Sequence, residues 1–178
     1  MAEVSFYILP SQSIQERDEF ACKLIEKAYR SGCFCYVLTD NTEQSQKIDD
    51  LLWTFRAGSF IPHQIYTGKL PVIAKDGVYA TSQSGTGVAI AKDGVYAESS
   101  QGASSVIEKV ILIGSLDVPE HWQNTVINLS SHCPKHVDKI ERILEILDNS
   151  EATKELGRNR YRHYQQSGVT ITTHKIGH

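Results

Sequence analysis

Arg158, Tyr161, Arg162 and Gln165 recur at intervals of one, three and four near the C-terminus, the densest set of chemistry-bearing side chains in the sequence. At 3.6 residues per turn that spacing gathers them on one helix face. The planar guanidinium fork matches a carboxylate or a phosphate, so the stripe reads as a site for an anionic partner with an aromatic beside it. A solvated helix surface is the competing reading. A second set runs from Leu51 to His63, where Trp53, Phe55 and Phe60 cluster as a helix gives way to a loop. Phe55 suits the core, whereas Trp53 and Phe60 suit a partner that needs aromatic anchors.

Residue types for covalent or metal chemistry are present, but not in working patterns. No serine occupies a Gly-x-Ser-x-Gly elbow. Cys33 and Cys35 sit two apart in an expected strand and read as small buried hydrophobes. His132, Cys133 and His136 suggest zinc, but Cys33-x-Cys35 lacks the two-residue spacer and there is no second well-spaced pair. The first strand runs into Pro10-Ser11-Gln12-Ser13-Ile14 without a glycine, Gly68-Lys69 has no upstream glycine or following hydroxyl, and Gly85-Thr86-Gly87 lacks a third glycine. Neither the dinucleotide fingerprint nor the P-loop is therefore present. His174 and His178 read as tail residues without a role.

The elements that must position these residues alternate strand and helix. Val4–Leu9 is rich in β-formers, and Ser13 with Glu16 forms a capping box. A helix then buries Phe20, Ala21, Leu24, Ile25 and Ala28, with Gly32 supplying its C′ residue. Cys33–Thr39 reads as a strand covered on both faces. Asn41 or Thr42 caps a second helix through about Phe55. The segment IAKDGVYA occurs at 73–80 and again, letter for letter, at 90–97, each copy with an Asp-Gly hairpin signal. Residues 72–105 thus read as a strand entry followed by a duplicated hairpin or loop insertion. Strands follow at Val110–Ile113 and Val126–Leu129. Val137, Ile140, Ile143, Leu144 and Leu147 fall at helical spacing and predict a helix over 135–147. Ser150 caps a last helix to about Ser167, Gly168 closes it, and Val169–Thr173 reads as an edge strand.

The expected fold is α/β, a three-layer α/β/α arrangement around a mostly parallel sheet, with residues 1–178 forming one domain. The 178 residues carry a net charge of −3, which argues against a general nucleic-acid binder and leaves room only for a local basic patch. The N-terminal segment reads as a first strand and not as a signal peptide, no stretch reads as a membrane span, and the four cysteines read as reduced thiols of a cytoplasmic protein. No metal or cofactor is expected.

Three stretches together carry a resemblance. Ser5-Phe6-Tyr7-Ile8-Leu9, Leu52-Trp53 followed by Ser59-Phe60-Ile61-Pro62-His63, and Arg158-x-Arg160-Tyr161-Arg162-x-Tyr164 with a later glycine are similar, in order and spacing, to the chi subunit family of bacterial DNA polymerase III. The resemblance covers most of the chain outside the duplicated segment. It implies a noncatalytic clamp-loader accessory with a nucleotide-binding-like fold that lacks a nucleotide site. It further implies two partners, the psi subunit and the acidic C-terminal tail of single-stranded DNA-binding protein. Trp53, Arg158, Tyr161 and Arg162 match the family's tail-binding positions, and Phe60 matches a position implicated in contact with psi or with a helicase. Gln165 departs from the pattern, where a basic residue is expected, and the duplication is an addition. On this reading Arg158 and Arg162 pair with carboxylates while Trp53 and Tyr161 wall a pocket for a terminal ring, at about micromolar affinity. The rival readings are a nucleotide-dependent enzyme or hydrolase on the same fold, and direct binding of single-stranded DNA through the arginine stripe.

Overall fold

The computed structural model describes residues 2–55, 61–73, 79–83, 86–90, 96–98, 106–107 and 110–177. The chain opens with β1 (Glu3–Ile8), α1 (Ile14–Arg30), β2 (Cys35–Leu38), α2 (Thr42–Thr54) and β3 (His63–Ile65). Five short strands follow: β4 (Pro71–Ile73), β5 (Tyr79–Gln83), β6 (Thr86–Ile90), β7 (Tyr96–Glu98) and β8 (Val106–Ile107). β9 (Ile111–Gly114), β10 (Thr125–Asn128), β11 (Arg142–Leu147), α3 (Glu151–Gln166) and β12 (Thr170–Lys175) complete the order.

The local signals explain the element boundaries. Ser13, Asn41 and Ser150 each accept a backbone N–H at the start of α1, α2 and α3, satisfying a donor that the helix itself cannot. Gly32 and Gly168 take φ of +80° and +76° just beyond α1 and α3, a conformation glycine adopts without steric cost.

The main sheet has seven strands in the order β12-β1-β11-β10-β2-β9-β3, and all its neighbouring pairs are parallel. Its central strands β2, β9, β10 and β11 are buried almost throughout, as a sheet covered on both faces requires. On one face Ile25 of α1 and Ile48 and Leu52 of α2 pack with Val37, Ile111, Ile127 and Leu144. On the other, Tyr164 of α3 and Trp122 pack with Phe6, Tyr36, Val126 and Ile143. This is the three-layer α/β/α fold that the alternation of elements predicts.

Residues 135–147 depart from their sequence reading. Only Val137–Lys139 is helical, as one 3-10 turn, and Arg142–Leu147 is strand β11, between β1 and β10. Its last five residues are all buried. The helical spacing of Val137, Ile140, Ile143, Leu144 and Leu147 arises because a turn and a doubly covered strand follow each other.

The duplicated segment forms a five-stranded sheet of order β7-β6-β5-β4-β8, antiparallel throughout. Ile73 pairs with Tyr79 in one copy of the repeat and Ile90 with Tyr96 in the other. Both copies therefore fold back in the same register. Their Asp-Gly pairs lie outside the described residues.

Candidate functional site

A lone carboxylate in an apolar strand fixes how α3 sits. Glu145 in the middle of β11 is fully buried, and its two oxygens accept three side-chain hydrogen bonds. Arg160 Nε donates at 3.0 Å, Tyr164 Oη at 2.6 Å and Asn128 Nδ2 at 2.9 Å. Burial pushes the Glu145 carboxyl above its ordinary range, and Arg160, Tyr164 and Asn128 pull it back. Burial also raises the Tyr164 hydroxyl, helped by the neighbouring carboxylate, and takes the Cys133 thiol to about 11. A thiol so shifted is held neutral and unreactive. Gly157, Arg160 and Tyr164 form the buried face of the helix. Gly157 rides directly on β11, since a Cβ there would come within 2.5 Å of Leu147 Cδ1.

With that face locked, Lys154, Arg158, Tyr161, Arg162 and Gln165 turn toward β1 and β12. They wall an open groove of about 570 Å³. Its floor is apolar, made by Phe6, Ile8 and Leu147, and Thr173 of β12 borders it. The Tyr161 ring lies 5.5 Å from that of Phe6 and extends the apolar floor up the helix. Lys154 and Arg158 reach Glu151 at 3.3 and 3.8 Å, and Arg162 donates to Asn159 Oδ1 at 3.2 Å. These are exposed contacts that an incoming carboxylate can replace. The groove offers three cations around an apolar pocket, which suits an acidic chain that ends in a ring.

Trp53 does not join this groove. It lies at the C-terminal end of α2, exposed, with its ring 4.8 Å from that of His63 in β3. The His63 side chain is itself buried. Its Nδ1 faces Ile61 O at 2.6 Å, and its Nε2 faces Asp49 O at 3.2 Å and Asp49 Oδ1 at 3.3 Å. These contacts fix the platform under the indole. β3 and β12 are opposite edges of the sheet, and α2 and α3 pack on opposite faces. The groove floor lies on β1 and β11, five and four strand spacings from β3 in the sheet order, so at about 4.8 Å per spacing roughly 20 Å of sheet separates the two sites. Trp53 and Tyr161 cannot wall one pocket. Phe60 lies outside the described residues.

At the carboxyl ends of the strands, the crevice where a wound sheet can hold a ligand, a cavity of about 320 Å³ lies among side chains that bond one another. Thr39 and Ser45 hydroxyls meet at 2.7 Å, Asp40 accepts from Ser131 N and Oγ at 2.9 Å each, and Asn128 Oδ1 accepts from Ser130. His132 sits 3.4 Å from Asp40, and His136 takes a left-handed backbone. Among the described residues no three His, Cys, Asp or Glu side chains could hold a metal ion.

Sequence reasoning missed the Glu145–Arg160 pair and Lys154. One signal was available for the first: a carboxylate inside Ile143-Leu144-Glu145-Ile146-Leu147 requires a buried cation or donor once the run is a central strand.

The fold is a wound α/β domain with a cation-lined groove beside one edge of its sheet and an exposed tryptophan beside the other. The family model "DNA polymerase III chi subunit, HolC" matches residues 1–110 and 95–172, and the chain belongs to this family. The two matches overlap at the end of the duplicated segment. The subunit chi of DNA polymerase III from Pseudomonas aeruginosa is 24% identical over 176 residues, spanning 99% of this chain and 98% of that protein. The corresponding protein of Haemophilus influenzae is 22% identical over 172 residues, spanning 97% and 96%. Among solved structures, the crystal structure of T4 UvsW superposes with a TM-score of 0.52 at 10% identity over 98% of this chain and 41% of that one. That likeness concerns the fold alone. Family membership places the chain with the accessory subunits of DNA polymerase III, and so with DNA replication.

Proposed function

We propose that the chain is a noncatalytic, cytoplasmic adaptor that links the clamp-loader complex, through the psi subunit, to the acidic C-terminal tail of single-stranded DNA-binding protein. The observation that carries the tail site is the groove beside α3, where Lys154, Arg158 and Arg162 surround a floor of Phe6, Ile8 and Leu147. A terminal aromatic ring buried on that floor contributes about 2 to 3 kcal/mol, and each charge-assisted hydrogen bond about 1.5 to 3 kcal/mol before ordering costs. Arg158 and Arg162 bind the carboxylates, and Tyr161 contacts the ring. Trp53, on the far edge, belongs to a second surface. With Phe60, it is the contact offered to psi or to a helicase.

Two variants separate these sites. Arg158→Ala lowers affinity for the tail peptide at least tenfold in calorimetry and leaves capture of psi unchanged. Trp53→Ala does the reverse, and both variants keep the parent melting temperature. Loss of tail binding in Trp53→Ala would remove the two-surface assignment. Equal tail affinity in Arg158→Ala would remove the groove as the tail site.

A further inference from the structure

The groove is continuous with an open sheet edge. β12 is the terminal strand, among the described residues it pairs only with β1, and all but one of its residues are exposed. The Ile176 N–H donates to Ile8 O at 2.9 Å, one residue beyond the pairing of Ile8 with Lys175. In a parallel ladder each residue sends its N–H and C=O to the same side, and successive residues alternate. Thr170, Thr172, His174 and Ile176 therefore turn toward β1. Ile171, Thr173 and Lys175 turn their three N–H and three C=O groups outward, where no backbone partner meets them among the described residues.

Side-chain placement agrees with this alternation. Ile171 packs on the α3 face and Thr173 borders the groove, whereas His174 stacks on Tyr7 and Ile176 packs on the α1 face. Edge strands are usually blunted by proline, a bulge or inward charge, and β12 has only Lys175 at its end. Lys154, Arg158 and Arg162 span about 12 Å of helix at 1.5 Å per residue, and Ile171 to Lys175 span about 13 Å of strand. The row of cations and the row of outward amides are thus of similar length, and Thr173 of β12 lines the groove that the cations wall.

We propose that the acidic stretch of the tail adds to β12 as an eighth strand while its terminal ring and carboxylate occupy the groove. This rests on the tail reading above and specifies how the peptide is held. Main-chain hydrogen bonds to Ile171, Thr173 and Lys175 hold the backbone, and alternate acidic side chains, on the α3 face, meet the three cations.

Amide exchange by NMR tests this with the full chain and a synthetic acidic peptide of about eight residues ending in phenylalanine and a free carboxylate, a length that covers β12. At saturation, exchange at Ile171, Thr173 and Lys175 slows at least tenfold, and peptides N-methylated at alternate positions bind about three- to tenfold more weakly than those methylated at the intervening ones. Thr173→Pro removes one outward N–H and no bond to β1, and weakens binding by a similar factor. Saturable binding with unchanged exchange at these amides and no alternation in the methylated series overturns strand addition and leaves the groove reading standing. No binding of the peptide at all overturns both. Should Thr173→Pro fail to fold, the exchange and methylation results on the unaltered chain decide the question.

Discussion

Arg158 and Arg160 stand two positions apart on α3 and do opposite things. Arg158 is exposed and reaches only Glu151, whereas the Arg160 side chain is 6% exposed and holds the buried Glu145. Removing one partner of a buried pair strands the other charge, so Arg160→Ala is expected to cost about 3 to 5 kcal/mol. Arg158→Ala is expected to stay within about 0.5 kcal/mol of the parent. Urea denaturation of the two variants reads the difference directly. Asp18 in α1 is another of the buried carboxylates, and among the described residues its Oδ1 has no hydrogen-bond partner. Burial raises its pKa above the ordinary 3.8, against the pull of Arg17 and Lys47. A raised carboxyl binds its proton more tightly in the folded state, so stability is greatest below pH 3.8 for this group and falls as pH rises through the raised value. Asp18→Asn is expected to flatten that segment of the stability profile and to raise stability at neutral pH. Denaturation between pH 4 and 7 checks it, and a parallel profile for the variant would exclude the effect.

Among the elements, α3 shows most directly how packing shapes the site. Glycine inside a helix costs about 1 kcal/mol relative to alanine. Gly157 is nevertheless what lets the helix lie on Leu147, whose Cδ1 and Cδ2 would stand 2.5 and 3.0 Å from an added Cβ. Leu147 also floors the groove, so its flexible end would yield into that space. Gly157→Ala is therefore expected to change stability by no more than about 1 kcal/mol while lowering tail-peptide affinity severalfold. Calorimetry paired with thermal melting separates the two effects. β11 carries the opposite lesson. Its apolar residues satisfy a helical template when counted with Val137 and Ile140, yet Ile143, Leu144, Ile146 and Leu147 are buried on both faces of a central strand. Short apolar runs fit either period, and only the neighbours in space decide.

At the scale of the whole molecule, the sheet separates the two surfaces proposed above for binding. The groove lies at the β12 edge on the α3 face, and Trp53 lies at the β3 edge on the α2 face. That separation is what the paired Arg158 and Trp53 variants measure. The duplicated segment enters between β3 and β9, which are hydrogen-bonded neighbours at the far edge from β12. The main sheet therefore keeps its order despite the addition.

Much of this was legible in the residues alone. The caps at Ser13, Asn41 and Ser150, the strand runs around β1, β2, β9 and β10, the edge strand after Gly168 and the arginine-tyrosine stripe all rest on local chemistry, because capping, φ preference and helical phase act over a few residues. The fate of 135–147, the inward turn of Arg160 and the distance from Trp53 to Tyr161 did not. Each depends on contacts between residues far apart in the chain: strand order placed β11 at the centre, Glu145 drew Arg160 inward, and the width of the sheet parted the tryptophan from the groove. The sequence by itself determined which side chains could recognise an acidic peptide, and only the tertiary structure decided which of them share a surface.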